Sequence, residues 1–230
     1  MTAADQYRLG FAHQPALAEE DFLEAPCNAE ALAWVRRWPD WPSPALGVYG
    51  PASCGKSHLA AIWQRRADAV AVGSEALDET SLPALLAASR ACVIDDAEAV
   101  RDEETLLHLF NLVAEAKGWL LMTGRRPPAR WDVALADLRS RLGAIPAVAV
   151  GAPDDALMAA VLVKLFADRQ LWVGREVVAF AVARMERSFE AARRLVAAAD
   201  DAALAARREI TIPLLREVLA RLEEGGEGPG

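Results

Sequence analysis

The chain has 230 residues and a formal net charge of −8, with 53% apolar and 25% charged residues. This length accommodates one large domain, or a medium domain followed by a small one, with a full apolar core. The negative charge and the lack of a basic run disfavour autonomous DNA binding, and the lack of a long apolar run disfavours a membrane span, so we expect a cytoplasmic protein.

The first segment, residues 1–20, lacks helical or strand periodicity and is predicted to be extended. Within it, Gln6, Leu9 and Phe11 form a Q-x-x-L-x-F pattern. The pattern resembles the peptide that bacterial proteins insert into the replisome's sliding clamp, the β subunit of DNA polymerase III. The Gln amide would hold backbone or water, and the two apolar side chains would fill a cleft. On these residues alone, a solvated tail whose apolar side chains fold back on the domain is the alternative.

A helix is predicted to begin near Ala29, with Asn28 as its N-cap, and to end before a proline-rich stretch. Three tryptophans of this region, Trp34, Trp38 and Trp41, have helical spacing. We interpret them either as core residues or as a lid over a bound base.

Residues 50–57 match the phosphate-binding pattern GxxxxGK(S/T). The matching residues are Gly50, Pro51, Ala52, Ser53, Cys54, Gly55, Lys56 and Ser57. A short apolar strand at 46–49 precedes the loop, and a helix that includes His58 follows it, so the positive end of that helix faces the anion. Lys56 would reach the β- and γ-phosphates, and the Ser57 hydroxyl would ligate Mg²⁺. The sequence therefore predicts a nucleotide-binding protein, with Cys54 as a small filler residue in the loop.

Two acidic residues follow the third predicted strand, and a polar residue ends the fourth. Asp95 and Asp96 form a Walker B pattern, in which Asp95 would hold Mg²⁺ through water or Ser57 and Asp96 would orient or deprotonate the attacking water. The alternative is an Asp-Asp turn after a core strand. Thr123 occupies the position expected for a sensor of the γ-phosphate.

The order of predicted elements defines the fold class. After the loop, strands are predicted at 69–72, 91–96, 119–123 and 147–150, and helices at 82–89, 103–116 and 133–142. This alternation predicts an α/β fold with a five-stranded parallel sheet covered by helices on both faces. Beyond it only helices are predicted, at 154–169, 175–187, 189–206 and 212–222. We predict an extended N-terminal segment over 1–20, an α/β nucleotide-binding domain over 21–151, a small helical lid over 152–223 and a disordered tail over 224–230.

The loop, the Walker B pattern, the sensor position and the helical lid together resemble the AAA+ class of P-loop ATPases. The resemblance narrows to DnaA on three segments. Phe22 and Leu23, followed by Asn28, resemble the N-terminal box that borders the adenine. Residues 121–128 resemble the sensor I segment, and residues 138–142 resemble box VII. The similarity covers about residues 20–223, and the DNA-binding domain of DnaA is not expected here, so the chain resembles the Hda family of DnaA-related regulators.

This resemblance implies a mechanism. With ADP bound, an Hda-family protein docks on the DNA-loaded clamp and presents its box VII arginine to DnaA–ATP, which stimulates hydrolysis by DnaA and prevents over-initiation. Arg141 is the matching arginine here, and Arg139 is its local competitor. The resemblance implies ADP or ATP with Mg²⁺ as ligands, with Phe22, Leu23 and His58 beside the nucleotide.

Two departures from the DnaA pattern lower the expected ATPase activity of the chain itself. Gly124 and Arg125 stand where DnaA has Ser-Asp after the sensor threonine. Glu190 stands at the sensor II arginine position, with Arg193 one turn on as its candidate substitute. We therefore expect at most weak intrinsic ATPase activity, and leave ADP or ATP as working ligand and a homodimer open. The alternatives are an autonomous ATPase such as a DnaC-like helicase loader, and a P-loop enzyme acting on a small substrate, such as a kinase.

Overall fold

A computed structural model of the protein describes residues 18–74, 82, 86 and 89–226, with side chains to residue 224. The predicted clamp peptide, residues 6–11, lies outside the described residues, as do the tail beyond 226 and most of the helix predicted at 82–89. No helix of the described part is long and apolar enough to cross a membrane.

Five parallel strands form a single sheet in the order β2-β3-β4-β1-β5. The strands are β1 (Ala45–Tyr49), β2 (Val70–Gly73), β3 (Ala91–Asp95), β4 (Trp119–Gly124) and β5 (Ala147–Ala149). The central strands are apolar almost without interruption, as strands covered on both faces must be. The predicted five-stranded parallel sheet is confirmed.

Helices cover both faces of this sheet. On one face, α1 (Ala29–Arg37) and α2 (Lys56–Ala67) contribute to one apolar cluster. On the other, α3 (Glu103–Glu115) and α4 (Ala136–Ala144) contribute to a second. The helix predicted to start at 133 begins three residues later, at Ala136, because two residues ahead of it are held by a side chain from α3.

The three tryptophans with helical spacing, Trp34, Trp38 and Trp41, lie in or against the apolar core. Trp41 stacks on Trp63 with ring centroids 5.4 Å apart, and Trp38 meets Trp63 edge-on at 6.3 Å. Trp119 packs edge-on against both Trp38 and Trp41. Trp41 also donates its indole N–H to the Trp34 carbonyl at 2.7 Å. Of the two interpretations, the structure supports the core and not a lid over a base.

Four further helices follow the sheet and share an apolar core of their own. They are α5 (Asp155–Asp168), α6 (Arg175–Val182), α7 (Phe189–Ala206) and α8 (Ile212–Gly226). The prediction for α6 was five residues too long: the chain turns after Val182 so that Ser188 can cap α7 by accepting the Ala191 N–H.

One predicted cap is wrong in its chemistry. Asn28 is the residue before α1, but its side chain makes no capping hydrogen bond to that helix. Its carboxamide instead accepts the Ala25 N–H at 2.8 Å and donates to the Leu23 carbonyl at 3.0 Å. Because both partners lie upstream, Asn28 fixes the turn that carries Leu23 towards the helix.

Candidate functional site

The phosphate-binding loop has the backbone that its glycines predict. Gly55 has a φ of 104°, a left-handed conformation that L side chains rarely adopt, and a Cβ there would lie 3.2 Å from the Phe189 ring. At Gly50 a Cβ would collide with the Val150 carbonyl oxygen. Helix α2 begins directly after Gly55, so its unpaired N–H groups and positive dipole end lie at the loop. This geometry suits a bound polyphosphate.

Lys56 lies across the loop. Its Nζ donates to the carbonyl of Gly50 at 3.0 Å and to that of Pro51 at 2.7 Å. Cys54 is buried beneath the loop, and burial raises the pKa of its thiol above 9.0 despite the nearby lysine. Cys54 is therefore a protonated filler residue, as predicted, while Ser57 is exposed on the first turn of α2.

The carboxyl ends of three strands meet beside this loop. Thr123, which is buried at the end of β4, donates its hydroxyl to Asp95 Oδ1 at 2.6 Å and accepts the Asp96 N–H at 2.8 Å. The Gly50 N–H donates to the Gly124 carbonyl at 3.2 Å, which joins the loop to the same strand. The structure thus brings the loop, both aspartates and the sensor threonine together, with the threonine hydroxyl committed to the aspartates.

The oxygen donors at this edge fit a magnesium ion. Carboxylate and hydroxyl oxygens are the hard donors that Mg²⁺ prefers, and Asp95 and Ser57 supply one of each. Across the described part of the chain, no group of three or more His, Cys, Asp or Glu side chains gathers as a metal site. A magnesium ion here would therefore take its other ligands from water and from phosphate oxygens, as is usual for nucleotide sites.

The N-terminal segment packs on the start of α2. The Phe22 ring meets the His58 imidazole edge-on with centroids 5.1 Å apart, and His58 Nε2 lies 2.9 Å from the Ala18 carbonyl oxygen. A Cβ placed on Gly55 would lie 3.8 Å from the Phe22 ring, as well as 3.2 Å from the Phe189 ring. Two aromatic rings therefore flank the loop, one from the N-terminal segment and one from α7.

The first turn of α7 reaches the loop directly. The Phe189 N–H donates to the Ser53 carbonyl at 3.3 Å. Arg193 pairs with Glu190 at 2.9 Å, so the carboxylate at the position predicted for sensor II is balanced by the arginine one turn on. Phe189 was missed from the sequence, because an aromatic residue at a helix start has no local signal for a loop contact.

The two arginines of the segment that resembles box VII, Arg139 and Arg141, differ in their contacts. Both are exposed on α4, but the Arg139 guanidinium donates to the Val133 carbonyl at 3.2 Å. Within the described residues, Arg141 makes no hydrogen bond or ion pair. In the described part of the chain, the Arg139 guanidinium is therefore engaged and the Arg141 guanidinium is not.

A glutamate holds the segment that follows the sensor threonine. Glu98 accepts the N–H groups of Arg125 and Arg126 at 2.9 and 3.0 Å and pairs with the Arg126 side chain. Burial alone would raise the pKa of Glu98, but these hydrogen bonds and the arginine charge outweigh it and lower that pKa below 4.5. This contact stands where the chain departs from DnaA, and it was not predicted.

The contact of His58 with the N-terminal segment leads to a pH-dependent stability. Burial lowers the pKa of His58 below its usual 6.5, outweighing the hydrogen bond to Ala18. As the pH falls below 6.5, His58 therefore becomes protonated in the unfolded chain before it does so in the folded chain. The free energy of unfolding consequently falls as the pH decreases.

We expect the melting temperature to fall when the pH is lowered from about 7.5 to about 5.5. This fall should be larger in the unmodified protein than in His58→Gln, by about 2 °C. The glutamine can still donate to the Ala18 carbonyl but does not titrate. Thermal melts across this range measure the difference, with His108→Gln on α3 as control. Equal slopes for the protein and the His58 variant would contradict the assignment.

A family model described as Hda, lid domain, matches residues 155–219. This range begins at the first residue of α5 and ends within α8. The helical part of the chain is therefore similar to the Hda lid domain.

Solved structures share the fold over most of the chain. Domain III of the replication initiation protein DnaA from Thermotoga maritima matches with a TM-score of 0.77 at 16% identity, over 90% of this chain and 97% of that one. AMPPCP-bound DnaA from Aquifex aeolicus matches with a TM-score of 0.61 at 17% identity, over 75% of this chain and 61% of that one. The Thermotoga maritima RuvB Holliday junction branch migration motor matches with a TM-score of 0.64 at 15% identity, over 77% and 61%. The chain therefore shares the fold of DnaA domain III, and its helical part matches the family model of the Hda lid domain.

Proposed function

We propose that this protein inactivates the replication initiator DnaA. With an adenine nucleotide bound, it docks on the DNA-loaded sliding clamp in the cytoplasm and stimulates hydrolysis of DnaA-bound ATP by inserting Arg141. The observation that carries the proposal is the match of residues 155–219 to the Hda lid domain. The guanidinium of Arg141, which is exposed and makes no polar contact with the residues that the structure describes, adds the chemistry.

An ADP or ATP molecule with Mg²⁺ is the ligand that we assign to the loop. The loop backbone from Gly50 to Gly55 would hold the phosphates, with Lys56 as counter-charge. The aromatic rings of Phe22 and Phe189 beside Gly55 supply the apolar surface that a purine needs. The Aquifex aeolicus DnaA that shares this fold is bound to AMPPCP, an ATP analogue, which supports an adenine nucleotide.

Hydrolysis by this chain itself is expected to be weak. The Thr123 hydroxyl is committed to Asp95 and the Asp96 backbone, so it has less freedom to report on a γ-phosphate. Arg193 forms an ion pair with the Glu190 carboxylate, and this pairing reduces the electrostatic stabilisation that Arg193 can give to a third phosphate. We therefore assign the bound nucleotide a structural role. It would stabilise the loop, and the loop would hold Phe22 and Phe189 in place.

Arg141 acts on the nucleotide of another protein. A guanidinium that enters a neighbouring site neutralises the charge that develops on the γ-phosphoryl oxygens in the transition state, an effect of about 10³–10⁵ in rate. The residue must be exposed and must be held in a fixed direction. Arg141 meets the first condition on α4.

The clamp would bind through Gln6, Leu9 and Phe11. Ala18, whose carbonyl oxygen lies 2.9 Å from His58, is seven residues beyond Phe11. A chain of this length spans at most about 25 Å. Docking would therefore hold the clamp close to the nucleotide loop, in reach of a DnaA molecule on the same DNA.

Replacing Gln6, Leu9 and Phe11 together by alanine tests the docking. We expect clamp affinity to fall by at least about 30-fold, since the two apolar anchors would be lost. Stimulation of DnaA hydrolysis on clamp-loaded DNA should fall with it, while affinity for ADP is unchanged. Surface plasmon resonance on immobilised clamp gives the affinity.

The control for this experiment is Tyr7→Ala with Arg8→Ala, which changes the same segment but none of the three anchor positions. It should bind the clamp within a factor of about 3 of the unmodified protein. Unchanged clamp binding by the anchor variant would remove the docking step from the proposal.

A further inference from the structure

The helix that carries Arg141 has an unusual start. Leu135 precedes α4 and provides no capping side chain. The N–H groups of Ala134 and Leu135 are instead accepted by one carboxylate from another helix: Glu103 Oε1 lies 2.9 Å from the Ala134 nitrogen, and Oε2 lies 2.7 Å from that of Leu135. Both oxygens of Glu103 are thus used to hold the residues directly before α4.

Glu103 is available for this contact because Asp102, the preceding residue, caps α3. Asp102 accepts the Thr105 N–H at 3.0 Å and the Thr105 hydroxyl at 2.8 Å. The two backbone hydrogen bonds from Ala134 and Leu135 lower the pKa of Glu103, so its carboxylate is ionised at neutral pH. A charged acceptor makes the stronger hydrogen bonds.

Packing holds part of this segment, because half-buried Val133 and Leu135 lie against the apolar cluster of that face. A cavity of about 90 Å³ lies between α3 and the residues leading into α4, and Glu103, Trp131, Val133 and Leu138 are among its lining residues. Leu138, which lines the cavity, and Leu142 are buried and hold the body of α4. The polar contacts of Glu103 add to this packing at the start of the helix.

Arg139 completes the contact. Its guanidinium donates to the Val133 carbonyl, one residue before the pair that Glu103 holds, and its charge also favours ionised Glu103. Arg141 lies six residues beyond Leu135, about 9 Å along the helix axis. A shift or rotation at the held residues is therefore carried to the Arg141 guanidinium.

We propose that Glu103 is the positioning residue for the arginine finger. Its carboxylate fixes where α4 starts and how it is rotated, and thereby the direction in which Arg141 enters the site of DnaA. This inference rests on the proposed function. Misplacing a catalytic group by about 1 Å can cost about 100-fold in rate, so the contact has a measurable consequence.

Glu103→Gln is the test variant, because glutamine has one acceptor oxygen and its amide N–H₂ would face the second backbone N–H. We expect the maximal rate of stimulated DnaA hydrolysis to fall by about 10-fold or more, at an unchanged half-saturating concentration. Glu104→Gln is the control, because it removes the same charge at the next residue, whose side chain is exposed. This variant should behave as the unmodified protein.

Two further measurements separate positioning from general structural damage. Glu103→Gln combined with Arg141→Ala should be no slower than Arg141→Ala alone, because the glutamate acts through the arginine. Hydrogen exchange of the amides at 134–138, measured on this protein by itself, should be faster in Glu103→Gln and unchanged in Glu104→Gln.

The outcomes distinguish this inference from the proposed function. If the unmodified protein does not stimulate DnaA, the proposed function fails. If it does, and Arg141→Ala is inactive while Glu103→Gln matches the unmodified protein, only the positioning role is overturned. A Glu103→Gln variant that loses ADP affinity in proportion to its stimulation would also overturn it, because the carboxylate would then support the whole fold.

Discussion

Replacing Arg141 by alanine is expected to reduce the stimulation of DnaA hydrolysis by about 10³-fold or more, to near background. The guanidinium supplies positive charge only in the transition state, so its loss lowers the maximal rate and leaves affinity for the clamp and for ADP unchanged. The structure supports Arg141 for this role because its side chain is exposed and makes no polar contact within the described residues. The measurement is single-turnover hydrolysis of ATP bound to DnaA, in the presence of clamp-loaded DNA.

Arg139→Ala is the matched control. It removes the same charge from the same helix and breaks one hydrogen bond to the Val133 carbonyl. We expect a loss of at most about 10-fold, because that bond only helps to hold the start of α4. If Arg139→Ala is inactive and Arg141→Ala is not, the finger is Arg139 and the assignment is wrong.

The second large effect is expected at Lys56. Lys56→Ala should weaken ADP binding by about 100-fold, because a charged hydrogen bond to phosphate contributes about 1.5–3 kcal/mol. Its Nζ contacts the carbonyls of Gly50 and Pro51, which places the charge at the loop. Titration with fluorescent ADP gives the affinity.

The same variant tests whether the nucleotide stabilises the fold. ADP at about 100 times its Kd should stabilise the unmodified protein by about 2.7 kcal/mol, and Lys56→Ala should show almost none of this at the same concentration. Arg66→Ala, at an exposed position further along α2, should retain both the affinity and the stabilisation. Normal ADP binding by Lys56→Ala would exclude the loop as the nucleotide site.

The sheet and the loop were predictable because their signals are local. Each strand is a short apolar run between turn signals, and parallel connections bring the carboxyl ends of strands to one edge. The proximity of Asp95, Asp96 and Thr123 followed from that rule alone. Asp102 as the cap of α3 was likewise predictable, since a cap and its helix are adjacent in sequence.

The contacts that shape the candidate site were not predictable, because they join residues far apart in sequence. Glu98, Glu103 and Phe189 each meet backbone groups of another segment, and such pairings leave no pattern around the residue itself. Asn28 shows the same limit on a smaller scale: the residue type fits a cap, but its side chain is used upstream. Periodicity gave the tryptophans two interpretations because it does not specify what a helical face packs against.

Under the proposed function, this protein activates ATP hydrolysis by DnaA. The most direct test loads DnaA with labelled ATP, adds this protein with ADP and clamp-loaded DNA, and follows the conversion of ATP to ADP on DnaA. We expect the rate to rise by about 10³-fold or more over DnaA alone, and only when the clamp is on DNA. An unchanged rate of ATP hydrolysis by DnaA, with rapid ATP hydrolysis by this protein itself, would contradict the proposed function. It would favour an autonomous ATPase such as a helicase loader.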